Sequence, residues 1–332
     1  MRARLILLVA LCACGNAFGW GPRGHEVTGA IADQLLNPTA SLQVQAILGM
    51  PLRVASTWAD CVKDVKRSSS GGFAYKPMAQ YHAACVAFET PEGKARMVDY
   101  ATRNWDSCPH PNGRGCQDQY HYTDVAIQHK AYKLGFTGTS DHDVVSAINA
   151  AIAVLQDQPA PAPFSIKDKQ EALLMLAHLV GDLHQPLHVG AVYIDGQDHP
   201  INPDAAGHHF DATMETQGGN YIFDGKAKLH GEWDDVSTSV KPDHLTATML
   251  KSAKAIPPTP GDVTTWAQVW ATDTVVVSHA AFKGITYDGA QPHWTATFGD
   301  RQAYLSTKKQ VQAAQLAKGG AHLAQLLNAI WP

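Results

Sequence analysis

The chain has 332 residues, with 26 lysines and arginines against 30 aspartates and glutamates, and therefore a formal net charge of -4. This mildly acidic balance excludes a general electrostatic attraction to duplex nucleic acid, so any affinity for phosphates must come from local groups or bound cations. The length allows a large buried core in one domain or two.

The first 19 residues have the pattern of a removable export signal. Two arginines precede an apolar run over residues 5–13, and small residues follow up to Gly19. This pattern is typical of a secretory signal peptide and is too short to span a membrane. A lipoprotein-type cleavage that makes Cys14 the new terminus is the rival interpretation. We expect cleavage before Trp20, which leaves residues 20–332 as a periplasmic or secreted chain without a membrane anchor.

Helical periodicity dominates the remaining chain, and alternating strand-like runs are scarce. Apolar residues recur at helical spacing in segments 27–36, 41–48, 94–105, 144–155, 167–183, 264–281 and 306–330. Glycine and proline cluster between these segments, which is typical of long loops. The pattern predicts an all-α fold, a single compact and mainly helical domain. The Pro-Ala stretch at 159–163 is interpreted as a stiff turn, because candidate ligands lie on both sides of it.

Four cysteines remain after the signal, namely Cys61, Cys85, Cys108 and Cys116. An even number in an exported chain favours two disulfides over free thiols. Three pairings are possible, and the sequence does not choose among them. A metal site built from these cysteines is less favoured, because they lack a paired C-x2-C spacing.

The segment 177–188 holds the strongest candidate ligands. His178 and Asp182 are four residues apart on an apolar helix, so they project from one face. A proline at 186 ends that helix and lets His188 turn back toward them. Burying a histidine with a carboxylate is costly unless something compensates them. Imidazole and carboxylate ligands without thiolate favour zinc.

Two further places add ligands of the same kind. His230 and Asp234 repeat the four-residue spacing in a second segment. Cleavage before Trp20 would expose an α-amine that can chelate a metal together with its own carbonyl oxygen, with His25 nearby. Together these groups predict a metal site rather than scattered core histidines.

The order and spacing of five motifs resemble the zinc-dependent S1/P1 nucleases, which are single-strand-specific nucleases and 3′-nucleotidases. The motifs are Trp20-Gly21-x-x-Gly24-His25, Thr57-Trp58-Ala59-Asp60, Gly181-Asp182-x-x-Gln185-Pro186-Leu187-His188, His230-x3-Asp234 and Ala317-Lys318-Gly319-Gly320. The resemblance covers nearly the whole mature chain. It implies the mainly helical fold shared by zinc-dependent phospholipase C and these nucleases.

The resemblance also implies a cluster of three zinc ions, with ligands carried over one position at a time. The first ion would be held by Asp60, His121, His178 and Asp182, the second by His188, His230 and Asp234, and the third by the amine and carbonyl of Trp20, His25 and the shared Asp182.

One position in this mapping has two candidates, His82 and His121. His121 is followed by Tyr122 and Asp124, as in the family's pattern, and His82 is not. His82 then falls in an insertion over about residues 68–117. We interpret this insertion as a disulfide-stapled surface excursion near the site.

The resemblance further implies hydrolysis by metal-activated hydroxide, with single-stranded DNA, RNA and 3′-nucleotides as substrates and 5′-phosphate products. The residues assigned to catalysis are Asp60, Lys63, Asp124 and Asp182, and those assigned to substrate binding are Lys63, Tyr122 and Asp124. Lys63 stands where the family has a basic residue that pairs with the acid at 124 and steadies the phosphate. Tyr122 matches an aromatic on which a base could stack.

Other histidines receive no ligand role. His184 is assigned either to the surroundings of the site or to the surface, while His142, His199, His208 and His209 are expected to face solvent. No stable protein partner is implied, and the resemblance suggests a monomer.

Two alternatives stay open at this point. Zinc-dependent phospholipase C has the same fold and similar ligands but would need an aromatic cage for a quaternary ammonium, which the sequence does not assign. A non-catalytic exported zinc-binding protein would hold the same ions without turnover. The histidine-rich tracts typical of zinc storage are absent from the sequence.

Overall fold

The computed structural model describes residues 20–79, 81–109 and 114–332. The predicted signal, residues 1–19, lies outside the described residues, as do residues 80 and 110–113 of the predicted insertion. The α-helices are α1 (Pro22–Asp33), α2 (Pro38–Leu48), α3 (Leu52–Ala55), α4 (Trp58–Val62), α5 (His82–Cys85), α6 (Pro91–Asn104), α7 (Val144–Leu155), α8 (Lys169–Leu183), α9 (Leu229–Asp234), α10 (Ala247–Lys254), α11 (Val263–Phe282) and α12 (Arg301–Ile330). The predicted mainly helical fold is confirmed, and each predicted helical segment overlaps a helix.

Helix α8 lies at the centre of the molecule. Every residue from 171 to 183 is buried, and the helix contacts α1, α2, α4, α7, α11 and α12. Asp168 caps its first turn by accepting from the Glu171 backbone N–H at 2.9 Å. Polar side chains in the buried part of α8, such as His178 and Asp182, are therefore enclosed by other helices.

Helix α12 crosses α1 at very close range, and two glycines make this possible. A Cβ on Gly320 would lie 2.5 Å from Ile31 Cβ, and one on Gly319 would lie 3.3 Å from Thr28 Cγ2. The Gly319-Gly320 pair therefore has a packing role. It lets α12 support the helix that carries His25.

Four small sheets in the described part of the chain, which the sequence did not predict, pack beside the helices. The strands are β1 (Val65–Arg67), β2 (Phe73–Tyr75), β3 (Val125–Ala126), β4 (Gly190–Ala191), β5 (Tyr193–Ile194), β6 (Pro200–Ile201), β7 (Ile222–Asp224), β8 (Ala227–Lys228), β9 (Ile285–Ala290) and β10 (His293–Phe298). Four of them form a sheet in the order β8-β7-β10-β9. Helix α9 follows β8 directly, so this sheet positions His230 and Asp234.

Two disulfides join the four cysteines, as expected, and the structure selects one pairing. Cys61 bonds to Cys85 and Cys108 bonds to Cys116. The first bond ties α4 to the predicted insertion. The second closes a short loop within it.

Among the described residues, none of the helices combines the length and the apolar character that a membrane span requires.

Candidate metal centre

The first group of candidate ligands joins three separate elements. Asp60 lies on α4, His121 ends a 3-10 turn (Cys116–His121), and His178 lies on α8. His178 Nε2 lies 3.0 Å from His121 Nδ1 and 3.6 Å from Asp60 Oδ1. Asp182 Oδ2 lies 2.9 Å from the same His121 nitrogen. The four side chains are buried together.

A second group lies next to strand β8, at the edge of the four-stranded sheet. His188 ends the 3-10 turn Pro186–His188, and His230 and Asp234 share one face of α9. His230 Nε2 lies 3.0 Å from His188 Nε2 and 3.6 Å from Asp234 Oδ2. His188 Nδ1 lies 3.7 Å from Asp182 Oδ1, so the chain returns toward α8 after Pro186 as expected.

The third group consists of His25, His178 and Asp182. His25 Nε2 lies 3.3 Å from Asp182 Oδ1, so Asp182 presents its two oxygens to two different groups. The start of the described chain is held beside the second group, because the Gly21 N–H donates to the Asp234 carbonyl at 3.0 Å. A Cβ on residue 24 would lie 2.7 Å from Trp20 Cβ, so Gly24 lets Trp20 fold back onto α1.

Backbone carbonyls fix the orientation of three candidate ligands. The Nδ1 atoms of His178, His188 and His230 lie 2.7, 2.8 and 2.7 Å from the carbonyl oxygens of Ser56, His121 and Gly218. A carbonyl only accepts, so this network assigns the ring proton to Nδ1 and leaves the lone pair of a neutral ring on Nε2. Such support is typical of metal-binding histidines.

The inward-facing atoms fit cations. The Nε2 atoms of His188 and His230 lie 3.0 Å apart, and a cation between them would be stabilised by both nitrogens. Both ring nitrogens of His25 and Asp182 Oδ1 are buried without a hydrogen-bond partner among the described residues. Buried polar atoms are rarely left unpaired. The donor set therefore suits metal ions in all three groups.

The charge balance supports the same conclusion. Burial would raise the pKa of Asp60, but the Lys63 ammonium and the neighbouring histidines outweigh it and lower the pKa to about 2. Burial raises the pKa of Asp234 well above its ordinary range, although the Gln185 amide donates to it at 2.6 Å. A bound cation would reverse this effect and stabilise the Asp234 carboxylate.

A cleft of about 350 Å³ opens onto the candidate ligands. His121, His188 and His230 line it, so a substrate in the cleft would lie against the first and second groups. Lys63 and Tyr122 line it as well. Tyr122 is 38% exposed, whereas Lys63 is buried and donates from Nζ to Asp60 Oδ1 at 2.8 Å.

Asp124 lies in the wall of the cleft with a fixed backbone. Its N–H donates to the Gly138 carbonyl at 3.0 Å, and its own carbonyl accepts from the Tyr193 hydroxyl at 2.7 Å. Burial, followed by the charge of Glu215, raises the pKa of Asp124 to about 8. Lys63 donates to Asp60 in this structure. The expected pairing of Lys63 with Asp124 stays a prediction.

The two histidines that competed for one ligand position lie in different places. His121 lies with Asp60 and His178, whereas His82 is exposed on α5 with Nδ1 3.1 Å from Glu89 Oε1. His199, His208 and His209 are exposed.

The structure departs from the expected positions of His184 and His142. His184 is buried and bonds with α12, its Nε2 lying 2.7 Å from His322 Nδ1. His142 does not simply face solvent, because it is half-buried in the cleft wall with Nδ1 2.7 Å from Asp141 Oδ1. The loop between β3 and α7 lines the cleft, and no motif around residue 142 indicates this.

Sequence reasoning missed several other contributors. The carbonyls of Ser56 and Gly218 orient ligands, but a backbone group leaves no signal in residue identity. Gly218 has a positive φ of 55°, and a Cβ there would lie 2.2 Å from the Leu187 carbonyl oxygen. Glu215 also lines the cleft. Gln185 stood in a recognised motif, although its role toward Asp234 was not predicted.

A helical protein whose buried histidines and aspartates converge beneath a cleft has the architecture of a metal-dependent hydrolase. The sequence matches the S1/P1 Nuclease family over residues 20–332. The chain therefore belongs to the S1/P1 nuclease family, and it is a nucleic-acid hydrolase.

Three plant proteins show similarity to the chain. Endonuclease 2 of Arabidopsis thaliana is 26% identical over 346 aligned positions, which cover 98% of this chain and 96% of the relative. Endonuclease 1 of the same plant is 23% identical, with 99% and 93% covered. Endonuclease 4 is 27% identical over 48% of this chain and 50% of the relative.

Proposed function

We propose that the protein is an exported zinc-dependent phosphodiesterase that hydrolyses single-stranded DNA, RNA and 3′-nucleotides to 5′-phosphate products. The supporting observation is the convergence of three buried ligand groups beneath a cleft lined by Lys63, Tyr122 and Asp124. The proposed ligand sets for three zinc ions are Asp60, His121, His178 and Asp182; His188, His230 and Asp234; and the amine and carbonyl of Trp20 with His25 and Asp182.

The surrounding residues have distinct proposed roles. When bound, zinc supplies Lewis acidity that polarises a phosphoryl oxygen and lowers the pKa of a water molecule. Asp182 would hold two ions at a fixed separation, because its two oxygens face different groups. Asp60 orients the Lys63 ammonium through their 2.8 Å bond, so that the ammonium can contact a phosphate oxygen as a point charge.

The cleft wall supports a preference for single strands. Tyr122 is exposed enough to stack on a base, and stacking of this kind tolerates any base. Asp124 lies in the same wall and would bind the polar edge of that base. A base within a duplex is already stacked and paired, so reaching Tyr122 would cost the energy of unstacking.

The same lining argues against a lipid substrate. Of the described residues that line the cleft, Tyr122 is the one aromatic residue besides the histidines. A quaternary ammonium headgroup is typically held by several aromatic faces. A non-catalytic zinc-binding role is disfavoured because the cleft gives a substrate access to the ligand groups.

Export is supported by the disulfides. Two disulfides among the described cysteines suit an oxidising compartment. The proposed signal at residues 1–19 would direct the chain there.

A comparison of substrates tests the proposal. The mature protein is assayed for release of acid-soluble nucleotides from single-stranded DNA, RNA and duplex DNA, and for release of phosphocholine from lecithin, each with and without a chelator. We expect chelator-sensitive release from the single-stranded substrates, much slower release from duplex DNA and none from lecithin. Release of phosphocholine alone would favour the phospholipase, and hydrolysis that survives the chelator would contradict the zinc mechanism.

A further inference from the structure

One wall of the cleft carries an arginine, Arg114, that comes from the predicted insertion and is not among the candidate metal ligands. Arg114 lines the cleft together with Gly115 and Asp118, on the way to the ligand His121. The Arg114 side chain is 40% exposed, and its Nε lies 3.1 Å from Asp118 Oδ2. This ion pair orients an exposed guanidinium at the mouth of the cleft.

The backbone around Arg114 is anchored to the helical body. Cys116 is bonded to Cys108, and its N–H donates to the Trp105 carbonyl at 3.0 Å. The Asp118 N–H donates to the Gly115 carbonyl at 3.0 Å. Arg114 is therefore held at a defined position relative to His121.

The charged residues of the cleft lining indicate which side chain could contact a phosphate. The acidic residues in the cleft lining are Asp118, Asp124, Asp143 and Glu215. In the described part of the chain, the lysine and arginine of this lining are Lys63 and Arg114, and Lys63 is buried against Asp60. The chain as a whole has a net charge of -4 and does not attract a polyanion by itself. Of the two cations in this lining, Arg114 is the more exposed one, so a polyanion in the cleft would meet it first.

We propose that Arg114 binds the phosphate next to the scissile phosphate of a single-stranded substrate. This inference rests on the proposed nuclease function, in which Lys63 and the metal groups take the scissile phosphate at the floor of the cleft. A guanidinium offers several N–H donors to phosphate oxygens and forms strong charge-assisted hydrogen bonds. Arg114 would then favour nucleic acid chains over substrates that carry one phosphate.

The test compares two substrates in the zinc-loaded protein. A single-stranded oligonucleotide has flanking phosphates, whereas a dinucleoside monophosphate has the scissile phosphate alone. In Arg114→Gln we expect KM for the oligonucleotide to rise about tenfold with kcat nearly unchanged. The slope of log KM against log salt should fall by about 0.7, the contribution of one phosphate contact on a single strand. Hydrolysis of the dinucleoside monophosphate should not change.

Arg67→Gln is the matched control. Arg67 lies on β1, and its side chain is similarly exposed, at 43%. It forms an ion pair with Asp106 at 3.1 Å. The Arg67→Gln substitution should leave KM for the oligonucleotide and the salt slope as in the unchanged protein. An unchanged KM and slope in Arg114→Gln would overturn the proposal, as would an equal loss on both substrates.

Binding separates this inference from the proposed function. If the unchanged protein hydrolyses neither substrate, the nuclease mechanism fails, and fluorescence anisotropy of the labelled oligonucleotide still measures the contribution of Arg114. Weaker binding by Arg114→Gln with a reduced salt slope would support the subsite. Equal binding would overturn it.

Discussion

Asp182 is the residue on which two candidate metal groups depend. One oxygen lies 2.9 Å from His121 Nδ1, and the other lies 3.3 Å from His25 Nε2. The side chain is fully buried at the centre of the molecule, so no water could replace it without a rearrangement of α8. Its two contacts predict that a single substitution affects two ions.

Asp182→Ala should lower the zinc content by about two ions per chain and reduce hydrolysis of single-stranded DNA by at least about 1,000-fold, because two ions of the cluster lose a shared ligand. Elemental analysis and initial rates measure the two effects. His82→Ala is the control and should leave both close to normal. Full zinc content in Asp182→Ala, or zinc loss in His82→Ala without loss in His121→Ala, would contradict the ligand assignment.

Gln185 acts on the second group through Asp234. Its amide donates to Asp234 Oδ1 at 2.6 Å, and its oxygen accepts from the Leu187 N–H. Gln185→Ala should therefore weaken zinc binding or activity by about 10–100-fold, the usual effect of losing a partner of a metal ligand. Competition with a chromogenic chelator measures the affinity.

Gln325→Ala provides the comparison for Gln185. The Gln325 amide donates to the Pro257 carbonyl and accepts from the Thr259 N–H, far from any candidate ligand in sequence. It should cost stability alone. Equal zinc affinity in the two variants would show that the bond to Asp234 does not matter for metal binding.

At the scale of elements, the disulfide between Cys61 and Cys85 connects the predicted insertion to the candidate ligand Asp60. Cys61 directly follows Asp60 on the short helix α4, which has one turn to hold it in place. In Cys61→Ser/Cys85→Ser we expect a loss of about 3 kcal/mol in the free energy of unfolding. Zinc affinity should fall as well, because Asp60 is less well fixed.

The second disulfide supplies the contrast. Cys108→Ser/Cys116→Ser removes the disulfide that closes the shorter loop carrying Arg114. Asp60 stays in place in this variant, so the zinc affinity of the protein should change less. Urea unfolding of the zinc-loaded proteins, with zinc content measured in parallel, tests both pairs. Undiminished zinc affinity in the first pair would contradict the link to Asp60.

The longer helices α1, α2, α6, α7, α8, α11 and α12 were predictable because each buries an apolar face, whereas α3, α4, α5, α9 and α10 are short and were not predicted. The central helix α8 ends at Leu183, as its periodicity indicates, and α7 spans the predicted residues 144–155. The sheet was missed because β7 and β8 are too short to show alternation. The β9–β10 hairpin does alternate, with Ile285 and Tyr287 buried on one face, but it is the exception in a helical chain.

The candidate site was predictable to a different degree. Residues such as Asp60 and His121 were assigned through the resemblance, since their distance in sequence gives no hint of proximity. The carbonyls of Ser56 and Gly218 could not be predicted, because any residue supplies a carbonyl. Arg114 in the cleft wall depends on how the insertion folds, which no local pattern specifies.

At the scale of the whole molecule, the proposed cleavage before Trp20 would complete the third ligand group. Gly24 lets Trp20 fold against α1, and the Gly21 N–H bond to Asp234 holds the start of the described chain beside the ligands. A residue added before Trp20 would turn the free α-amine into a peptide nitrogen, which is a poor metal ligand. The zinc content should then fall by about one ion per chain, as measured by elemental analysis.

The same residue added after Pro332 is the control and should leave the zinc content unchanged. An undiminished content in the chain extended before Trp20 would argue against a chelating terminus. It would leave the other two ligand groups unaffected.

The central claim is that this chain hydrolyses nucleic acid with a zinc cluster held by its buried histidines and aspartates. The most direct measurement is the zinc content of the purified mature protein, followed during stepwise reloading of the chelated protein alongside hydrolysis of single-stranded DNA. We predict about three zinc ions per chain at saturation, with activity that returns only as they bind. Full activity in the zinc-free protein, or failure of the chelated protein to take up zinc during reloading, would contradict the account.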